Sequence, residues 1–352
     1  MIAVDAMGGD HAPREAVKGA LAAAEDGVPL VLFGKKDVLV SLLSEHNSQW
    51  HTLPIKVVHC SEVIDMGDNP IKSIMRKKDS SLMRGMHAVQ EGEAHAFVSA
   101  GNSGAVVAAA TIIVGRVEGV LRPAIGSFLP TNTGSSLFCL DLGANPDCKP
   151  EYLVQFAYMG MAYVRLKKHI AQPRIALLSN GHESCKGSQL VRSTYELLEK
   201  EQIHFVGNIE SRDIFSDKTD VVITDGFTGN VLLKGIQGTA NSVLEWMKEE
   251  ARRSLWSRIM LACSWPILSR IKKRIDYART GGALLLGVKN PVIIAHGSSK
   301  AIAIKQAIML AHSTVQNKIL PTFNESLKKI IAQSSLPIAL QKQKSSVSQS
   351  YL

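Results

Sequence analysis

The chain is poor in aromatic residues, which make up 5% of it, and its five cysteines are odd in number and far apart. With so little Phe, Trp and Tyr, a core has to be built from Ala, Val, Ile and Leu. Cys60, Cys139, Cys148, Cys185 and Cys263 form no CxxC pair, which removes the zinc and thioredoxin signatures. Scattered thiols in a long chain suit a reduced, cytoplasmic protein rather than a disulfide scaffold. The 27 glycines and 13 prolines follow no period, so the chain is neither collagen-like nor a repeat fibre. No basic and then apolar leader precedes the strand-like start Ile2–Ala6, and a signal peptide is not expected. The longest uncharged stretch, 94–115, is interrupted by Gly101-Asn102-Ser103-Gly104. It falls short of the roughly 20 mainly apolar residues that span a bilayer.

Familiar catalytic and nucleotide-binding motifs are missing too. A P-loop needs Gly before Lys, whereas the nearest string, Gly181 to Ser188, has Lys186 before Gly187. GxGxxG, GxSxG and HExxH do not occur, so a dinucleotide fingerprint, a nucleophile elbow and a zinc-protease helix are not expected. Cys185 beside Lys186 fits an activated thiol or, more simply, a bystander.

What remains is an ordinary packed chain of 352 residues, 45% apolar and 20% charged, with a formal net charge of +9. That balance excludes a disordered protein. The charge is local: residues 251–280 carry eight cations against one acid, Asp276, a surplus of seven. Such a patch asks for an acidic partner at one place on the surface.

Short apolar runs alternate with glycine-containing turns and helical segments. Ile2–Ala6, Leu30–Phe33, Ile55–His59, Ala96–Ala100, Leu137–Leu142, Ile175–Ser179, Val221–Thr224 and Val292–Ala295 are expected strands. This pattern predicts an α/β fold, a mostly parallel sheet with helices on both faces. Ligands of such sheets bind at the carboxyl ends of strands. Six loops there combine Gly with Ser, Thr, Asn or Asp, and their N–H groups suit an anion at one edge of the sheet. Residues 1–332 are expected to form a single α/β catalytic unit, with 253–275 as a projecting helical tip. The Ser-, Gln- and Lys-rich tail from Gln333 is expected to be flexible.

Taken in order, several strings resemble the bacterial phosphate acyltransferase family, the acyl-ACP:phosphate transacylases of phospholipid synthesis. They are Ile2 through Pro13, Lys77-Lys78-Asp79-Ser80-Ser81, Val98 through Ala105, Asp141 through Asn145, Gly207 through Asp213, Thr224 through Val231, and Pro291 through Ser299. They cover residues 1–318. One segment departs from the family pattern, Leu178 through Glu183, although Lys186-Gly187 is kept. The resemblance implies transfer of a fatty acyl group from acyl carrier protein to inorganic phosphate. It also implies a fold similar to phosphotransacetylase and to the isocitrate and isopropylmalate dehydrogenases. A homodimer working peripherally at the membrane, with no metal and no organic cofactor, completes the expectation.

The chemistry requires phosphate held close to a thioester carbon and donors preset for the oxyanion. Phosphate is already a nucleophile, so the missing triad is no obstacle. Lys186 is the leading cation for phosphate or oxyanion, since a lysine at a helix start is otherwise disfavoured by the dipole. Asn230 and Thr228, within Gly226–Asn230, and Asn102 with Ser103 are uncharged donors; helix capping alone accounts for either loop. His11 or His296 is a candidate general acid for the leaving thiol. Gly8, Gly9, Asp10, Gly104, Gly226, Gly229 and Ser298 complete the expected phosphate and substrate site. Asp5, Asp10 and Asp225 repel phosphate and are expected to orient Lys or His. The run Arg76-Lys77-Lys78 fits acyl carrier protein or a plain solvated helix face.

In 253–275, cations flank an apolar centre holding Trp256 and Trp265 and broken by Ser264 and Pro266. This is the composition of an interfacial anchor for anionic membrane, with Trp256, Ile259, Trp265 and Leu268 inserting; a dimer interface is the alternative. Docking there would bring acyl phosphate to a membrane glycerol-3-phosphate acyltransferase. The rivals are a phosphotransacetylase-like enzyme using acyl-CoA and a nucleic-acid-binding protein. The latter is disfavoured because no recognised reading module occurs.

Overall fold

The computed structural model describes residues 1–275 and 281–334, and the side chains through Arg270 and from Gly281 onward. The expected flexible tail beyond Ser334, with Asp276 and Arg279, lies outside the described residues, as do the side chains of Lys272, Lys273 and Arg274.

In chain order the elements are β1 (Ile2–Asp5), α1 (Arg14–Glu25), β2 (Leu30–Gly34), α2 (Lys36–His46), β3 (Ile55–His59), α3 (Pro70–Arg76), α4 (Ser81–Gln90), β4 (Ala96–Ser99), α5 (Ser103–Ala109), β5 (Ala124–Pro130) and β6 (Ser136–Leu140). There follow α6 (Pro150–Lys168), β7 (Ile175–Ser179), α7 (Gln189–Leu198), β8 (Phe205–Glu210), β9 (Val221–Ile223), α8 (Gly226–Arg252), α9 (Leu255–Ile275), β10 (Ala283–Leu286), β11 (Val292–Ile294), α10 (Ala301–Gln316) and α11 (Ile319–Gln333).

The strands make one eleven-stranded sheet in the order β3-β2-β1-β4-β11-β10-β5-β6-β9-β7-β8. Side chains alternate between two apolar layers, as a strand's two-residue period requires. Ile2 and Val4 join the layer under α1, α6 and α10, while Ala3 and Phe97 join the layer under α4 and α5. Aliphatic residues dominate both layers, as the scarcity of aromatics predicted.

The expectation of a single binding edge is wrong, and the reason is topological. β3, β2, β1, β4 and β11 are mutually parallel, as are β6, β9, β7 and β8. Between the two groups come three antiparallel steps, β11–β10, β10–β5 and β5–β6. An odd number of reversals leaves the groups running oppositely. The loops after β1, β4 and β11 therefore sit at one edge of the sheet, and those after β6, β7 and β9 at the other.

α8 and α9 form a helical hairpin. From 234 to 250 no residue of α8 is buried, and no described residue of α9 is. α9 runs through Ser264 and Pro266 without a break. No described helix is long and apolar enough to cross a membrane.

Candidate active site

At the first edge the organiser is Asp5, buried at the end of β1. Its carboxylate accepts from Ser81 Oγ at 2.6 Å, Ser99 Oγ at 2.8 Å and the Met7 N–H at 3.2 Å. Burial pushes its carboxyl above the usual range, against the pull of those donors. Glycine is required where the loops meet: a Cβ on Gly8 would lie 2.9 Å from the Gly101 backbone. Gly9 and Asp10 pack on the loop after β11, where the Asp10 N–H donates to the Gly297 carbonyl at 2.8 Å.

His11 and His296 are exposed on this edge. His296 Nδ1 lies 2.8 Å from Ser298 Oγ and accepts the Ser298 N–H at 3.2 Å. That bond leaves Nε2 as the nitrogen that carries the proton in the neutral ring. Asn102 caps α5 by accepting from the Ala105 N–H at 3.1 Å, and its amide donates to the Met66 and Asp68 carbonyls at 3.1 and 3.0 Å. The candidate Asn102 is thus engaged in holding backbone. Ser103 and Gly104 begin that helix. Lys77 is similarly engaged, donating to the Val63 carbonyl at 2.7 Å and to Asp68 at 2.6 Å.

At the second edge the organiser is Asp141, fully buried just after β6. Oδ1 accepts from the N–H groups of Ile125, Gly143 and Ala144 at 3.0, 3.1 and 3.0 Å. Oδ2 accepts from the Asn145 N–H at 2.7 Å and its side-chain amide at 2.8 Å. Burial again pushes the carboxyl up while the donors pull it down. The carbonyl of Asn145 takes the Gly226 N–H at 2.8 Å, fixing the start of α8. Gly229 has to be glycine because a Cβ would overlap the Asp141 carbonyl.

Asp225 caps α8, accepting from the Thr228 N–H at 2.8 Å and the Thr228 hydroxyl at 2.7 Å. Two expectations need correction. Asp5 and Asp225 brace backbone and hydroxyls rather than Lys or His, and the Thr228 hydroxyl is engaged in the cap. Asn230, half-buried beside Gly143, makes no side-chain hydrogen bond among the described residues.

Lys186 lies on the loop after β7, at the same edge as Asp141 and Asn230 because β9 joins β6 to β7. Its stem lies over Gly181. Its ammonium is exposed and has no ion pair among the described residues. Cys185 is exposed, while burial pushes the Cys148 thiol up to about 12, so Cys148 is inert.

The structure therefore groups the candidates as Gly8, Gly9, Asp10, His11, Asn102, Ser103, Gly104, His296 and Ser298 on one edge and Lys186, Gly226, Thr228, Gly229 and Asn230 on the other. No hydrogen bond or ion pair joins the two groups among the described residues. Sequence reasoning missed Asp141 and Asn145 as the scaffold of the second group. The signal was an acid directly after the apolar run Leu137–Leu140 in a strand meant to be buried. Arg122, over the Tyr152 ring at 5.8 Å and near the Cys148 thiol, was missed as well. No group of acids, histidines and cysteines able to hold a metal occurs among the described residues.

The α8–α9 hairpin exposes Trp256, Ile259 and Trp265, along with Leu255, Met260 and Ile267. Leu268 is half-buried and, with Trp265, Leu261, Leu244 and Met247, lines a groove of about 120 Å³ between α8 and α9.

The fold is similar to that of a phosphotransacetylase from Streptococcus pyogenes (TM-score 0.56, 18% identity, 90% of this chain and 94% of that one). A branched-chain phosphotransacylase from Enterococcus faecalis matches similarly (TM-score 0.55, 15% identity, 89% and 98%). In sequence, the phosphate acyltransferase of Pelotomaculum thermopropionicum is 46% identical over 330 residues, 94% of this chain and 95% of that protein. That of Anoxybacillus flavithermus is 42% identical over 331 residues, 94% and 99%. A family model described as "Fatty acid synthesis protein" matches residues 1–321. With matches of this extent, the chain belongs to the phosphate acyltransferase family, enzymes that transfer an acyl group to phosphate.

Proposed function

We propose that the acyl donor is the thioester of acyl carrier protein and that the products are acyl phosphate and the free carrier thiol. The observation that carries this reading of the site is Lys186, an exposed ammonium with no ion pair among the described residues, on a glycine loop at the edge shared with Asn230. A phosphate oxygen attacks the thioester carbon and forms the C–O bond. The C–S bond then breaks, and the sulfur leaves with its electron pair and takes up a proton. Lys186 holds the phosphate or the tetrahedral oxyanion, and the Asn230 amide donates to the same developing charge. The reaction so written needs neither metal nor organic cofactor.

His11 and His296 are the proton donors of this reading, yet they occupy the opposite edge. The reading therefore includes a homodimer in which a second copy brings its His11–His296 edge to Lys186, so that each site is shared. Residues 1–332 act as one catalytic unit, and the wider likeness to the isocitrate and isopropylmalate dehydrogenases belongs to the same reading. Phe227, Val231 and Trp246 add exposed apolar surface to the hairpin. Its tip, Leu255, Trp256, Ile259, Trp265 and Ile267, inserts shallowly into anionic membrane, with Arg252, Arg258 and Arg270 at the headgroups. Docking there delivers acyl phosphate to a membrane glycerol-3-phosphate acyltransferase; nucleic acid has no part in it.

The test is donor choice. With phosphate present, palmitoyl-acyl carrier protein should release free thiol much faster than palmitoyl-CoA. Equal or faster release from the CoA donor would replace the carrier protein with the CoA alternative.

A further inference from the structure

The loop that carries Lys186 is pinned by a histidine within the segment that departs from the family pattern. His182 Nε2 lies 3.0 Å from Asp213 Oδ2 and 3.5 Å from Glu210 Oε1. Its Nδ1 lies 3.3 Å from the Asn208 carbonyl. Both ring nitrogens therefore face acceptors, one a carbonyl and the other two carboxylates. Only an imidazolium, with N–H at both positions, donates to both sides; the neutral ring leaves one acceptor facing a bare nitrogen.

The same acceptors are tied into the protein. Arg212 pairs with Glu210 at 3.0 Å and Lys218 with Asp213 at 3.0 Å. Lys218 first, then His182 and Arg212, hold the Asp213 carboxyl below its ordinary range. A second staple lies one residue on: the Asn208 amide donates to the Glu183 carbonyl at 2.8 Å, which also accepts the Lys186 N–H at 3.0 Å. The chain of contacts runs from Asp213 and Glu210 through His182 and Glu183 to the backbone of Lys186. The remaining titratable groups beside the ring are its loop neighbours Glu183, Cys185 and Lys186, all exposed.

We propose that His182 is a positioning residue for the transfer reaction: bridged to Asp213 and Glu210, it fixes the 181–187 loop so that the Lys186 ammonium is presented to phosphate. This rests on the placing of Lys186 in the phosphate site. Preorganisation of a single cation in this way affects phosphate binding as well as turnover.

The experiment compares wild type, His182→Ala, His182→Gln, Lys186→Ala and the His182→Ala/Lys186→Ala double variant, each as the full chain. Amide hydrogen exchange over 181–187 reads the loop, and kcat and KM for inorganic phosphate read the function. His182→Gln keeps one donor and similar size, so it reports even if the alanine variant folds poorly. We expect faster exchange over 181–187 in both His182 variants and a KM for phosphate raised about 10-fold in His182→Ala. The double variant should be no slower than Lys186→Ala, because a clamp that acts through Lys186 has nothing left to position. Unchanged exchange would overturn the clamp. Faster exchange with unchanged kinetics in His182→Ala, alongside a slow Lys186→Ala, would overturn its link to catalysis while leaving Lys186 in the site. A fast Lys186→Ala would remove Lys186 from the site and the inference with it.

Discussion

Replacing Asp141 by Asn changes one oxygen into an NH2 group and nothing else in size. Each oxygen now accepts at least two N–H donors: three converge on Oδ1, and two from Asn145 on Oδ2. Whichever way the amide is turned, at least two donors face a donor. Hydrogen bonds to a charged group contribute about 1.5–3 kcal/mol each, so the loss is about 3–6 kcal/mol. Relief from burying a charge offsets part of it, leaving a net loss of about 2–4 kcal/mol. Because the Asn145 carbonyl fixes Gly226 at the start of α8, turnover should fall too. Urea unfolding of Asp141→Asn should show a lower midpoint at an unchanged slope. A variant within about 0.5 kcal/mol of wild type would refute the view that this carboxylate braces the second edge, since that is the scatter of a neutral surface change.

Three further outcomes follow from other parts of the molecule. Trp256→Glu with Ile259→Glu should abolish flotation with anionic liposomes and leave acyl transfer in solution nearly unchanged; retained flotation, or loss of solubility, would assign these side chains to the interface between copies. Mixing Lys186→Ala with His296→Ala subunits under conditions of exchange should restore about a quarter of wild-type activity, because half the dimers are mixed and each holds one intact shared site; no recovery would place both residues in one chain's site or leave the dimer reading without support. Asp79, held down to about 2 by the Ser61 hydroxyl and amide and then by Arg84, lies below its ordinary value of 3.8. It therefore contributes stability above pH 4 that is lost as pH falls from about 4 to about 2. Asp79→Asn should flatten the acid-unfolding profile in that window, and an unchanged profile would assign the acid sensitivity to other carboxylates.

The sequence revealed eight strands as short, mostly apolar runs, and the loops after them, because period and turn chemistry are local. It concealed β5, β8 and β10. β5 carries Gly126, Ser127 and ends at Pro130, and β8 is a half-exposed edge strand. Two of these, β5 and β10, make the antiparallel steps that reverse the sheet, so missing them turned two edges into one. Lys186 and Asn230 were legible as polar residues in glycine loops. Thr228 and Asn102 have the same composition, yet their side chains hold caps, and only hydrogen-bond partners separate the two cases. Asp141 was named only within a family string; its bracing role was hidden because a carboxylate buried among N–H groups looks, in a string of letters, like any acid before a turn. His182 lies in a loop, and its partners Glu210 and Asp213 are 28 and 31 positions away, beyond any local pattern.

The most direct measurement follows the phosphate itself. Wild-type enzyme is incubated with palmitoyl-acyl carrier protein and ³²P-labelled phosphate, and label is traced into acyl phosphate while free thiol is counted. We expect one labelled acyl phosphate per thiol released, and a rate about 10²–10³-fold lower in folded Lys186→Ala. Thiol released without label in an acyl product, or a folded Lys186→Ala at wild-type rate, would contradict the account.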